Sequence, residues 1–112
     1  MDELQADYLV VGAGAVGLAF ADALLDESDA DIVIVDRHGL PGGHWNDAYP
    51  FVALHQPSAF YGVNSLPLGS GRVDHGGLND GFMELASGPE VSAYFQRVMR
   101  AIWQDWCATA RT

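Results

Sequence analysis

Six consecutive residues, Gly12-Ala13-Gly14-Ala15-Val16-Gly17, set three glycines at the spacing that lets a backbone wrap a pyrophosphate, and Asp36 stands 24 positions after the first of them. In this pattern Gly12 permits a tight strand-to-helix turn, Gly14 brings the backbone to the phosphates with no Cβ in the way, and Gly17 lets helix and strand pack closely. Unpaired N–H groups at the start of a helix, reinforced by its partial positive charge, supply the anion-binding chemistry. Asp36 is placed to accept hydrogen bonds from the hydroxyls of an adenosine ribose, and its charge repels a 2′-phosphate, which implies rejection of NADP. The expected ligand is a dinucleotide. The turn itself does not choose between FAD and NAD, because both carry the ADP half that it would hold.

These residues need an element on either side. Tyr8-Leu9-Val10-Val11 is a short apolar run that stops at glycine, as a strand buried on both faces of a parallel sheet does. From Ala15 to about Leu25 strong helix formers follow, with Val16, Phe20, Ala23 and Leu24 sharing one face and Asp22 and Asp26 off it. Ile32-Val33-Ile34-Val35 repeats the buried-strand signature and ends on Asp36. Strand, right-handed crossover helix and parallel strand make one βαβ unit. From Arg37 to about Gly88 the chain is rich in Gly, Pro, Asn, Ser and His with no long periodic segment, which is uncommon in a compact domain unless it is functional. Gly88-Pro89-Glu90 then reads as a helix start, and Val91, Tyr94, Phe95, Val98, Met99, Ile102, Trp103 and Trp106 form an apolar stripe.

The predicted fold class is α/β, a single partial domain over residues 1–112. It comprises a Rossmann-type βαβ unit over 1–45, a loop-rich segment over 46–88 and an amphipathic helix over 89–106. Two parallel strands are too few for the usual doubly wound sheet, so apolar faces are expected to stand open to a C-terminal portion or a partner chain.

Composition removes several function classes. Of 112 residues 49% are hydrophobic and 18% charged, as in a globular domain. The net charge of −10 comes from 15 acids against five arginines, so there is no basic face for nucleic acid or an anionic membrane. The acids between Asp22 and Asp31 read as a solvated helix end and loop rather than a metal site. The apolar run from Tyr8 to Leu25 contains three glycines and Asp22 and reads as a strand entering a helix, not as a membrane span. One cysteine, Cys107, and no cationic leader make a cytoplasmic location the expectation.

The residues after Asp36 narrow the cofactor. Asp36-Arg37-His38-Gly39-Leu40-Pro41-Gly42-Gly43-His44-Trp45 places a glycine pair and then an aromatic shortly beyond the acid. With the glycine turn, this segment resembles the N-terminal FAD-binding part of flavin-dependent oxidoreductases that include the flavin-containing and Baeyer-Villiger monooxygenases. Tyr49-Pro50 matches a Tyr-Pro of that family, and Leu54 to Ser65 is similar to a flavin-proximal part of a bacterial branch; the resemblance covers about residues 8 to 100. It implies FAD as cofactor, NAD(P)H as co-substrate in a complete protein only, and cofactor contacts from Gly12 to Gly17 and from Asp36, Arg37, Gly43, His44 and Trp45. Each has a plainer reading: Trp45 can be core, and His44, His55 and His75 lack ligand-like spacing. Cys107 reads as an inert thiol. No residue is assigned a catalytic role.

The family's second nucleotide site has no counterpart here, since Gly69-Ser70-Gly71 and Gly76-Gly77 lack a strand before and a helix after them. The chain is thus expected to be the N-terminal fragment of a longer flavoprotein. Read one base later, the codons for Ala101 to Ala108 encode Gly, Lys or Arg, Ile or Thr, Gly, and Ala or Val, which resembles the turn before the family's next strand and suggests a frameshift near Arg100. The alternatives are an NAD-binding module or dehydrogenase fragment, and a non-catalytic truncated remnant.

Overall fold

The computed structural model describes residues 5–49 and 51–106, with side chains through residue 102. Strand β1 (Tyr8–Val11) leads through the glycine turn into helix α1 (Ala15–Glu27), and strand β2 (Ile32–Val35) returns parallel to β1, pairing Tyr8 with Ile32 and Val11 with Val35. The βαβ unit thus lies where the sequence places it. β-branched residues fill β2, and the polar stretch from Ser28 to Asp31 closes α1.

The two strands are covered on one side. In register, Val10 sits beside Ile34, and both are buried with Ile32. On the opposite face Leu9 and Val11 are 64% and 77% exposed, and Val35 is 40% exposed. Burial on both faces, expected from the continuous apolar runs, therefore holds for one face only. The reason is architectural: a doubly wound sheet needs a helical layer on each side, and the described residues supply one.

Helix α1 also differs from its reading. Leu18, Ala21 and Asp22 are its buried residues, whereas Val16 is 84% exposed and Phe20 45% exposed. Phe20 is in edge contact with Tyr8, with ring centroids 5.8 Å apart. The helix is apolar nearly all round, so periodicity could not say which stripe would be covered. The deciding neighbours are distant in sequence, namely the hairpin of β3 (Gly62–Val63) with β4 (Leu66–Pro67), and helix α2 (Gly88–Trp106). Asp22 is tolerated in that contact because its Oδ2 accepts the Ser65 N–H at 3.1 Å.

Helix α2 buries Val91, Tyr94, Phe95, Val98 and Ile102, as its stripe predicts; the Trp103 and Trp106 side chains and Cys107 lie outside the described residues. Ser87 caps its start: Ser87 Oγ accepts the Glu90 N–H at 3.3 Å and donates to Glu90 Oε1 at 3.1 Å. The loop-rich segment holds two short 3-10 helices, Gly43–Asp47 and Ser58–Phe60, and is cross-tied rather than layered. Ala53 bridges to Ser87 and Val73 to Met83, while Glu84 Oε2 pairs with Arg72 at 2.9 Å.

Tyr94 is the main tie between α2 and this segment. Its hydroxyl accepts the Val63 N–H at 2.7 Å and donates to the Leu66 carbonyl at 2.5 Å, and burial pushes its pKa up. Replacing Tyr94 by Phe leaves a buried amide and carbonyl without their partner, so we expect a loss of about 1–3 kcal/mol. Urea denaturation of Tyr94→Phe beside the parent chain checks this; equal midpoints would remove Tyr94 from the tie.

Candidate functional site

Gly12 and Asp36 stand just past the carboxyl ends of β1 and β2, the edge at which open α/β sheets take ligands. Gly12 has φ of 105°, a left-handed conformation that favours glycine, and its N–H donates to the Val35 carbonyl at 2.7 Å. A Cβ on Gly17 would collide with the Gly12 carbonyl oxygen and press on Val10, so the third glycine sets how closely α1 approaches the turn. The first helical bond, Leu18 N–H to the Gly14 carbonyl at 3.0 Å, leaves the amides of Gly14, Ala15, Val16 and Gly17 as the orphan donors of α1. Four amides at the positive end of a helix are a site for an anion.

Asp36 is drawn into the protein. Its side chain is 6% exposed, its Oδ2 accepts the Ala13 N–H at 2.6 Å, and its Oδ1 accepts the His38 N–H at 2.6 Å. His38 Nδ1 lies 3.0 Å from the same Oδ1, and His38 Nε2 lies 3.2 Å from Asp47 Oδ2. The two amides, Ala13 first, hold the Asp36 carboxyl below its usual range against the opposing effect of burial. Asp36 thus fastens the glycine turn to the end of β2, and the Ala13 amide is already spoken for. The contacts of His38 with Asp36 and Asp47 carry no sequence signature, since they depend on the path of the loop.

The segment after Asp36 folds back onto the turn. Gly42 donates its N–H to the Ala13 carbonyl at 2.8 Å, and a Cβ on Gly43 would sit 3.2 Å from Gly14 Cα. Two glycines, facing each other with no side chain between them, let the two loops touch. Trp45 is half-buried against the core; its indole N–H donates to the Tyr61 hydroxyl at 3.0 Å, and its ring meets Tyr61 edge-on. Of the residues named from the sequence, Gly12 to Gly17, Asp36 and Gly43 gather around one turn; Trp45 packs against Tyr61 and the core, and Arg37, His44 and the side chain of Val16 face solvent. Tyr49 is exposed and stacks on Phe51, and Pro50 lies outside the described residues.

A separate cleft of about 740 Å³ lies at the other end of α1, among Asp22, Leu25, Asp26, Asp29, Val63 and Val98. It is distant from the glycine turn and carries acids where an anion site needs donors. Among the described residues no group of three or more His, Cys, Asp or Glu side chains could hold a metal ion, and no helix is long and apolar enough to cross a membrane.

A parallel βαβ unit with a glycine turn at the carboxyl ends of its strands and an open helix start defines a Rossmann-type dinucleotide-binding domain. The sequence model of the NAD(P)-binding Rossmann-like domain family matches residues 10–98, and the chain belongs to that family. An uncharacterized protein of Mycobacterium tuberculosis is 56% identical over 97 residues, which is 87% of this chain and 18% of that protein. A Baeyer-Villiger monooxygenase of Streptomyces coelicolor is 39% identical over 59 residues, 52% of this chain and 11% of the enzyme. The chain thus spans less than a fifth of the length of these relatives. The structure of a flavin-containing monooxygenase from Stenotrophomonas maltophilia shares the fold, with a TM-score of 0.67 at 24% identity over 95% of this chain and 28% of the other.

The Asp36 link to Ala13 should be visible in acid. A carboxyl whose pKa is lowered by folding contributes stability that is present above its unfolded value of 3.8 and lost as pH falls through the folded value. We expect urea midpoints to fall between about pH 5 and about pH 2 in the parent chain, and to fall less in Asp36→Asn. Identical slopes in the two proteins would show that the link carries no stability.

Proposed function

We propose that this chain is the FAD-binding portion of an FAD-dependent, NAD(P)H-using oxidoreductase of the monooxygenase type. The observation that carries this reading is the docking of the Gly42-Gly43 loop on the glycine turn, through Gly42 N–H to the Ala13 carbonyl and the Gly14–Gly43 approach. That contact puts the segment resembling the flavoprotein loop beside the four orphan amides, instead of leaving it as a distant excursion. The likeness to a Baeyer-Villiger monooxygenase and the shared fold of a flavin-containing monooxygenase support the same reading.

The residues present suit such a cofactor. The amides of Gly14, Ala15, Val16 and Gly17 would hold the pyrophosphate, and Asp36 would face the adenosine ribose. Gly43, His44 and Trp45, with Arg37 at the exposed side, would border the remainder. Bound FAD would supply hydride acceptance from a reduced nicotinamide and the reduction or oxygenation of a small substrate. The chain's own part is binding and orientation. In this reading residues 1–45 bind the dinucleotide, 46–88 border the flavin, and 89–106 close the core behind them. The nicotinamide site and the cover for the bare face of β1 and β2 would come from polypeptide beyond this segment.

A second reading, an NAD-binding module, is favoured by the family's own NAD(P)-binding description. One experiment separates them: incubation of the purified chain with FAD, passage through a desalting column, and a visible spectrum, with equilibrium dialysis against NAD in parallel. Retained flavin absorbance is the expected result. A folded chain that loses all flavin but binds NAD would establish the second reading instead.

A further inference from the structure

The Asp36–His38–Asp47 cluster is used by neither the helix-start chemistry nor the core. It sits at the root of the loop that docks on the glycine turn. His38 is the hinge of the cluster. Its backbone N–H and its Nδ1 both engage Asp36 Oδ1, at 2.6 and 3.0 Å, while Nε2 reaches Asp47 Oδ2 at 3.2 Å. Asp36 directly follows β2 and Asp47 is the last residue of the short helix Gly43–Asp47, so one imidazole closes the intervening loop on itself. Asn46 adds stitches inside that loop, its side-chain N–H groups donating to the carbonyls of Leu40 at 3.2 Å and Gly43 at 3.0 Å. Gly42 and Gly43, the two residues that touch the glycine turn, lie within the closed segment.

We propose that His38 is a positioning residue of the dinucleotide site, which in its protonated form clamps the Gly42-Gly43 loop to the glycine turn through Asp36 and Asp47. This inference rests on the dinucleotide-binding reading of the turn. Its basis is geometric: an imidazole with a carboxylate at each ring nitrogen makes two charge-assisted hydrogen bonds when it carries both protons, and can donate to only one of the two carboxylates when it carries one. The charged groups that face His38 are Asp36, directly after β2, and Asp47 from the short helix. The glycine turn, packed on the other side of Asp36, presents the Ala13 amide, and neighbouring Arg37 is exposed.

The pH dependence has a definite sign. Asp47 and then Asp36 raise the pKa of His38 above its ordinary 6.5, while partial burial opposes them. A group whose pKa is raised on folding contributes its stability fully below the unfolded value and loses it as pH rises through the folded value. Asp36, held low, stays ionised throughout that range. The clamp is therefore closed below about pH 6.5 and opens as pH rises through the raised midpoint of His38.

Two readouts test this in the intact chain. The first needs no cofactor: an NMR pH titration that follows the His38 ring and the Gly42 amide, whose hydrogen bond to Ala13 reports docking of the loop. We expect the His38 midpoint to lie above 6.5 and the Gly42 shift to follow the same midpoint. In His38→Asn the Gly42 shift should lose this dependence, and in Asp47→Asn the midpoint should move down. The second readout is the FAD dissociation constant against pH, expected to weaken several-fold through the His38 midpoint in the parent chain and to be flat in His38→Asn. A His38 midpoint at or below 6.5, or a Gly42 amide indifferent to it, overturns the clamp. If Gly42 follows His38 but neither FAD nor NAD binds at any pH, the dinucleotide reading fails and the loop clamp stands. If FAD binds with the same affinity across the His38 titration, the clamp is not a positioning device for the site.

Discussion

The hydrogen bond from the Ala13 amide to the Asp36 carboxylate is the constraint on which the rest of the arrangement depends. It joins the end of β2 to the turn between β1 and α1, beyond the Val11–Val35 pairing and the bond from the Gly12 amide to the Val35 carbonyl. A charge-assisted bond to a nearly buried acceptor is stronger than a neutral one, and it fixes the direction of the turn as well as its position. The turn so held presents the Ala13 carbonyl, which receives the Gly42 N–H, and the later loop docks there. The order of dependence therefore runs from acid to turn to loop. A long carboxylate or an amide at position 36 would change all three.

The same βαβ unit shows where stability is left unclaimed. Leu9, Val11 and Val35 form a bare apolar strip on one face of the sheet, and Val16 and Phe20 are separately exposed on α1. Covering a Leu or Val side chain fully contributes about 1.5–3 kcal/mol, so a layer over the strip is worth several times the contribution of any single hydrogen bond in the loops. The described residues cover one face of the β1–β2 pair and leave the other bare. Relatives several times longer than this chain have ample polypeptide for such a layer.

The elements were legible in the sequence where local pattern suffices. Val-rich runs ending at Gly12 and Asp36 marked both strands, and the stripe from Val91 to Ile102 marked α2, because each signal lies within a few residues. The face of α1 was not legible, since an Ala- and Leu-rich helix offers apolar surface in every direction and its neighbours come from residues 62–67 and 88–102. In the site, the glycine turn and its acid could be read from spacing alone. The diversion of Asp36 to Ala13 and His38 could not, because it requires knowing that the loop curls back. Ser87 is different: Ser-Gly-Pro-Glu carries the capping-box spacing and could have been read directly.

A chain of net charge −10 can still present an anion site, because the two features are separated in space. The acids from Asp22 to Asp31 crowd the carboxyl-terminal half of α1 and the turn beyond it, and the orphan amides lie at its amino-terminal end. A helix of 13 residues is about 20 Å long, more than twice the Debye length of about 8 Å at physiological ionic strength. The exposed acids near that range, Asp26, Glu27, Asp29 and Asp31, are largely screened, and the nearer Asp22 is turned to the Ser65 amide, whereas the orphan amides act at contact distance. The one carboxylate close to the turn, Asp36, is occupied by the donors of Ala13 and His38 and so directs little unbalanced charge toward the helix start. Asp26 and Glu27 in the last turn of α1, with no basic residue beside them, oppose the helix dipole there. Their cost falls on the stability of that end and not on the affinity of the other.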